Sequence, residues 1–313
     1  MTYFWKHPKR YNDFSTHFKN LFTNRVQKIA INAGFTCPNR DGSKSRGGCT
    51  YCNNETFNPF YCAPEKSITQ QINEGIAFFS EKYKTQKYLA YFQAYSNTYA
   101  PLHILEKLYN EALSHSEVIG LVIATRPDCI SQEIVNLLKK LSEKHYITLE
   151  LGVETTQNET LTNINRCHTF EDTVNALNLL KNTKIHTGIH LILGLPGESY
   201  ETIINHAKII SALPFETLKL HQLQIIRKTI MAKQYETNPE KFSLFTAENY
   251  IELVIDFLER LSPQIIIERF TSESPADLLI APKWGSIKNY EMVAKIEKRM
   301  EERKTWQGKF FSE

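Results

Sequence analysis

Hydrophobic and polar positions follow two rhythms that take turns along this chain. Short apolar runs rich in β-branched residues occupy 26–32, 87–94, 118–125, 146–153, 185–193 and 217–225, each bounded by turn-forming residues, and they predict strands. Between them, apolar residues recur every three to four positions over 68–83, 102–115, 132–145, 170–181 and 200–212, which predicts amphipathic helices. Ser67, Ser131 and Ser199 stand where a helix N-cap side chain accepts a backbone hydrogen bond, and Pro101 stands where a first helical turn tolerates proline. Strand–helix alternation of this kind implies parallel pairing through right-handed crossovers. Six units fit an α/β fold of the partial (β/α)6 TIM-like barrel type, open on one side; a doubly wound sheet shares the same periodicity. Both place their chemistry at the C-terminal ends of the strands. Past residue 225, a helix over 247–261, a strand over 264–270 and a basic helix over 287–303 are expected. The expected division is a basic, aromatic arm at 1–25, a core barrel at 26–228 and an α/β extension at 229–313 packed on the core.

Composition narrows the class. Of the 313 residues, 42% are apolar and 23% charged, enough for a sizeable globular core. No run of eighteen apolar residues occurs and the first fourteen residues mix aromatics with charge, so neither a membrane span nor a signal peptide is expected. A cytoplasmic location with no membrane partner follows. The net charge of +3 decides nothing, but its distribution is uneven. Lys6, Lys9, Arg10, Lys19, Arg25 and Lys28 face one acid, Asp13, and are interleaved with Trp5, Tyr11, Phe14 and Phe18. That mixture suits phosphate contacts and base stacking; it equally suits a solvated helix face.

Three of the six cysteines crowd into one loop after the first strand: Cys37, Cys49 and Cys52, spaced C-x11-C-x2-C. The C-x2-C turn presents two thiolates to one metal centre, and Gly42, Gly47 and Gly48 let the chain wrap around it. Three thiolates are one short of the usual complement of a four-iron cluster, so one iron would stay open to another ligand. The alternative is zinc, which in closed sites takes four Cys or His ligands. The loop holds no histidine, and Cys62 has no partner at short spacing. Cys62, Cys129 and Cys167 stand alone and read as packed thiols.

The segments GFTCPNRDG (34–42) and GGCTYC (47–52), with motifs at the later strand ends, resemble the radical SAM superfamily. Within it they resemble the YhcC/YtqA-type proteins, neighbours of the Elongator catalytic subunit, from about residue 11 to 310. The first cysteine gap is longer than the superfamily's commonest C-x3-C-x2-C, as it is in Elongator-type enzymes. The resemblance implies a [4Fe–4S] cluster on Cys37, Cys49 and Cys52 as the metal site and catalytic centre. It also implies S-adenosylmethionine (SAM) as cofactor. SAM contacts carry over to Tyr51, to Gln93 and Asn97 after the second strand, and to Arg126 in the TRPD segment 125–128. They carry over further to Glu154 in LELGVE, Arg166 facing the methionine carboxylate, His190 and Gly194 in the fifth-strand motif HLILGLPGE, and Gln222 ending the sixth strand. Here the usual glycine-rich turn after the second strand is replaced by FQAYSNT (92–98). By resemblance the substrate is tRNA, at a wobble uridine, and the electron source a low-potential donor such as flavodoxin or ferredoxin. A radical enzyme acting on a small metabolite or a protein side chain is the alternative, and a zinc-stabilised nucleic-acid-binding module without catalysis is the third. No acetyltransferase domain lies within the 313 residues, so acetyl transfer is not expected.

Overall fold

In the computed structural model, described over residues 3–22, 25–56, 58–81, 86–285 and 287–312, the expected alternation becomes one curled sheet. A short helix α1 (Phe14–Leu21) precedes β1 (Arg25–Ile31). Then follow α2 (Ile68–Ser80), β2 (Gln86–Phe92), α3 (Leu102–Leu113), β3 (Val118–Thr125), α4 (Gln132–Ser142) and β4 (Tyr146–Glu154). The chain continues through α5 (Asn158–Asn163), α6 (Phe170–Leu180), β5 (His186–Leu193), α7 (Tyr200–Ser211) and β6 (Thr217–Gln222). It ends with β7 (Ile225–Ile226), α8 (Ile230–Thr237), α9 (Ala247–Arg260), β8 (Ile266–Arg269), β9 (Leu279–Ala281) and α10 (Asn289–Glu302). Ser67, Ser131 and Ser199 cap α2, α4 and α7 as expected, each accepting the backbone N–H three residues on. The expected continuation of α2 to residue 83 lies outside the described residues.

The strands pair in parallel in the order β1-β2-β3-β4-β5-β6-β8. That order never reverses, which excludes the doubly wound alternative, whose sheet grows both ways from its first strand. The sheet is a curled half-barrel. Its helix-facing positions, such as Ile29, Phe92, Leu121, Leu149, Leu191 and Leu220, pack with Ile72, Leu105, Leu138, Leu177, Ile203 and Leu258 of the surrounding helices. Every second residue faces the lumen instead, where a small apolar cluster around Leu89 and Val122 lies beside the polar Lys28, Glu150 and Lys219.

Two features depart from expectation. The strand expected at 264–270 joins the main sheet: β8 adds to β6 as a seventh strand, where six were expected. Asp13 bridges Ile267 in parallel, and Lys28 Nζ of β1 lies 2.5 Å from Glu268 Oε1 of β8, so the two sheet edges approach each other. The expected sixth strand also stops early. After Gln222 the chain leaves the sheet, and Ile225–Ile226 pairs antiparallel with β9.

The arm is drawn inward. Phe14 and Phe18 stack at 4.2 Å between centroids, and Phe18 meets Tyr146 edge-on, with Val26 packed against the same inner cluster. Lys9 pairs with Asp13 and Glu297, Arg10 donates to Thr305 O, and Lys28 is held by Glu150 and Glu268. At least half the cations that made the arm look like a nucleic-acid surface therefore have internal partners. Among the described residues, no helix is long and apolar enough to cross a membrane.

Candidate active site

The cysteine loop has little regular structure of its own and is shaped by bonds to its surroundings. Cys52 N–H donates to Cys49 O, closing the C-x2-C turn, and Thr50 N–H donates to Ile164 O. Asn39, fully buried, donates its amide to the carbonyls of Asn165 and Arg166 at 2.5 and 3.1 Å. Asn165 in turn donates to Gly48 O. The loop is thus sewn to the segment that carries Arg166. Three N–H groups point at cysteine sulfurs: Asn39 Nδ2 and Arg166 Nη1 at Cys49 Sγ, both 3.5 Å, and Asn54 Nδ2 at Cys52 Sγ, 3.6 Å. Sulfur is a weak acceptor as a thiol and a good one as a thiolate, and such bonds tune iron–sulfur centres. Burial, with Cys49 alongside, pushes the metal-free Cys52 thiol up against the opposing pull of Arg40.

Opposite the loop, β4 ends in a bulge. The pairing register with β5 slips between Gly152 and Glu154, and Glu154 adopts a left-handed backbone with φ of 70°. A bulge of this kind re-aims a side chain at the end of a strand. Glu154 Oε1 meets Arg166 Nη2 at 3.2 Å, and the same nitrogen donates to Gly152 O at 2.6 Å. This is no surface ion pair: both residues are buried. Burial opposes the charge of Arg166, but Tyr51, Cys49 and Glu154 around it hold the guanidinium well above its usual range. Asn165 and Cys167, flanking Arg166, are also left-handed, with φ of 53° and 55°. Strained backbone gathered around one point marks a site whose geometry the surrounding fold enforces.

Arg126 is a second anchored cation. Asp128 grips it through two bonds of 2.9 Å, and Arg126 Nη2 donates to Arg166 O at 2.8 Å. Asp128 is therefore more than a helix start. Despite its burial, Arg126 and then Lys44 hold its carboxyl down to about 2. The remaining nitrogen, Arg126 Nη1, is buried without a partner.

A cavity of about 220 Å³ joins these pieces at the C-terminal strand ends. Cys37, Cys49, Cys52, Tyr51, Gln93, Arg126, Glu154, Arg166, His190 and Gln222 all line it. Asn97 does not; its amide donates to Ala124 O at 2.8 Å and braces the ends of β2 and β3. Gly194 also stays outside, turning the chain after β5 at φ of 97° against Phe245. Gln222 lines the cavity, but both ends of its amide are engaged with the backbone of Ser272.

The lumen beneath holds residues that motif reading missed. Glu150, 1% exposed, takes Lys219 at 2.6 Å, Lys28 at 3.0 Å, Tyr91 Oη at 2.7 Å and His190 Nε2 at 3.1 Å. Burial would raise its carboxyl, yet Lys219 and Lys28 hold it well below the usual range. Arg40, His221 and Arg269 also face the cavity. A signal was present in the sequence: Lys28, Glu150, His190 and Lys219 each interrupt an otherwise apolar strand.

The donor set suits a cluster and a zwitterionic cofactor. Two of the three sulfurs, Cys49 and Cys52, carry N–H donors, and Ser96 Oγ, Asn39 Oδ1 and Arg126 Nη1 are buried polar atoms near them with no protein partner. Comparison with known proteins agrees. The model of the radical SAM superfamily matches residues 34–210, and that of the radical SAM C-terminal domain matches 215–302. YtqA of Bacillus subtilis is 37% identical over 303 residues, covering 97% of this chain and 93% of that protein. A tRNA uridine(34) acetyltransferase of Methanocaldococcus infernus is 30% identical over 175 residues, 55% of this chain and 32% of the enzyme. Among solved structures, N-terminally truncated Elp3 of M. infernus shares the fold at a TM-score of 0.67 and 20% identity, covering 91% of this chain and 64% of that one. With cysteine loop, half-barrel and C-terminal strand each matched in sequence, the chain belongs to the radical SAM superfamily.

Proposed function

We propose that Cys37, Cys49 and Cys52 hold a [4Fe–4S] cluster with one iron left to S-adenosylmethionine, and that the chain modifies tRNA at a wobble uridine. The observation that carries the cofactor reading is the meeting of the three cysteines with Arg166 and Glu154 on the wall of one cavity. When bound, the cluster and SAM supply a 5′-deoxyadenosyl radical, by one-electron reduction from a donor such as flavodoxin or ferredoxin, for hydrogen abstraction from substrate. The protein's part is placement. Arg166, charged and fixed by Gly152 O, offers the methionine carboxylate a charge-assisted pair, and Glu154 offers the amino group an acceptor. Arg126 Nη1, Gln93 and Tyr51 line the same wall, and His190 is oriented by Glu150. Asn97, Gly194 and Gln222 act through the backbone they brace. The buried walls keep water and stray hydrogen donors from the radical.

The tRNA reading is supported by the named activity of the partial relatives. The arm gives it less support, since Lys9, Arg10 and Lys28 have internal partners; solvent-facing cations of the loops include Arg46 and Arg227. That finding favours keeping a small metabolite or protein side chain as the second reading. Zinc has less support: closed zinc sites take four Cys or His ligands, and the loop offers three cysteines and no histidine.

Anaerobic reconstitution followed by incubation with SAM and a reductant, with and without bulk tRNA, tests both levels. About four irons per chain and 5′-deoxyadenosine absent from a Cys49→Ala variant are expected. A colourless protein without inorganic sulfide would sink the cofactor reading. Turnover and binding indifferent to tRNA at low salt would sink the substrate reading.

A further inference from the structure

The cavity has a second polar end that the cysteine chemistry leaves unused. Its wall there is made by the ends of β5, β6 and β8, with His190, His221 and Arg269, and by residues 272–274 folded across. Gln222 fixes that fold by donating to Ser272 O and accepting from Ser272 N, both at 2.9 Å. Gln224 donates to the same carbonyl at 3.3 Å and accepts from Ser274 Oγ at 2.7 Å.

Charges along this wall are matched with two exceptions, the acid Glu273 and the cation Arg269. Glu150 and Glu268 balance Lys28 and Lys219, and Glu154 balances Arg166. Glu273, the remaining acid, accepts from Asn289 N at 2.5 Å. Arg269, placed opposite Lys219 in the sheet register, has no hydrogen bond or ion pair among the described residues. Next to it the His221 imidazole lines the cavity, with Nε2 buried and unpartnered. Burial, then His190, Arg269 and Lys219, keep that ring well below its usual titration range, so it brings no charge of its own. Arg269 is exposed to solvent at this end of the cavity, and a guanidinium without a carboxylate near a neutral polar ring can take an anion there, which its planar fork accepts through two parallel bonds.

We infer that Arg269, with His221 beside it, forms a substrate subsite for an oxyanion group, a carboxylate or a phosphate, of the molecule attacked in this cavity. The inference rests on the proposed function in taking the cavity as the reaction site; anion binding itself needs neither cluster nor SAM.

The test uses the full-length, metal-free chain carrying labelled histidine, titrated with sodium acetate and with dimethyl phosphate, and with sodium chloride as the ionic-strength control. The readout is the imidazole resonance of His221, assigned by its loss in His221→Gln. A saturable shift is expected. Arg269→Gln should weaken binding by about tenfold or more, and Arg269→Lys should weaken it less, since it keeps the charge and loses the fork. Tighter binding of acetate assigns a carboxylate, and tighter binding of dimethyl phosphate assigns a phosphate. An anion seated at Arg166 instead would leave Arg269→Gln indistinguishable from the parent, and that result overturns the subsite, as does a chloride titration that reproduces the shift. Circular dichroism checks each fold; should Arg269→Gln not fold, equal affinity of Arg269→Lys and parent would overturn it. Failure of cluster reconstitution refutes the cofactor reading without touching these titrations.

Discussion

Gly152 has no room for a side chain. A Cβ there would lie 2.6 Å from both Arg166 Nη2 and Glu154 Oε1. Gly152→Ala should therefore push the guanidinium off Gly152 O while β4 stays paired. Equilibrium binding of SAM to the reconstituted protein should weaken by about tenfold or more, the scale of a charge-assisted pair. Unchanged affinity would remove Arg166 from the carboxylate role. This close approach was not legible in the sequence, because it depends on Arg166 folding back over β4 from fourteen residues further on. His168 supplies a second test at this scale. Its Nε2 accepts from Arg166 Nε at 3.0 Å and its Nδ1 lies 3.1 Å from Thr169 O, so the ring has no site for a second proton. Burial, with Arg166 and Arg126 nearby, lowers its pKa to about 3. The unfolded chain titrates near 6.5. Between those values unfolding takes up a proton, so the stability due to His168 is whole above pH 6.5 and is lost as pH falls toward 3. At pH 5 the loss amounts to about 2 kcal/mol. Urea unfolding of the metal-free protein at pH 7 and pH 5 should show the parent losing more than His168→Gln by roughly that amount; parallel losses would refute it.

Within the elements, the lumen shows what alternation reveals and what it hides. The helix-facing half of each strand was readable because burial there asks only for apolar shape, and five of the six expected strands formed within two residues of their expected bounds. The lumen half was not, because Lys28, Glu150 and Lys219 satisfy one another only after the sheet curls. The same curling brought β8 into the sheet, a pairing with β6 that local pattern does not encode. The six-residue α5 and eight-residue α1 and α8 were too short to show a period. Glu150→Gln keeps the shape of this network and removes its charge, leaving Lys219 buried with only Glu268 near. Uncompensated buried charge of this kind costs about 3–5 kcal/mol. Chemical denaturation should report a loss of that order. Glu150→Gln combined with Lys219→Met should recover part of it, and strictly additive losses would show that the pair does not act as a unit.

At the scale of the whole molecule, the two chain ends hold each other. Gln307 N–H donates to Arg10 O, and Gln307 Oε1 accepts from Asn12 N–H at 2.9 Å. Its Nε2 donates to Ser262 O at 2.7 Å and Ile265 O at 2.8 Å, so one buried amide joins the arm, the tail and the turn leading into β8. Asn12 O then accepts from Ile267 N–H, extending the junction along β8 itself. The arm that composition cast as a free basic surface is thus a structural strap over the seventh strand, and β8 carries Arg269 to the cavity wall. Gln307→Ala leaves one buried N–H and two buried carbonyls without partners. At about 1–3 kcal/mol for each unsatisfied group, partly relieved by water, a net loss of about 2–4 kcal/mol is expected. Hydrogen exchange should localise it, with faster exchange at Asn12, Ile267 and Gln307 and little change at β2 or β3, since local opening follows the contacts removed. Uniform acceleration across the barrel would mean that the clasp is an inseparable part of one cooperative unit. No change at β8 would mean that the seventh strand is held by its sheet neighbour alone.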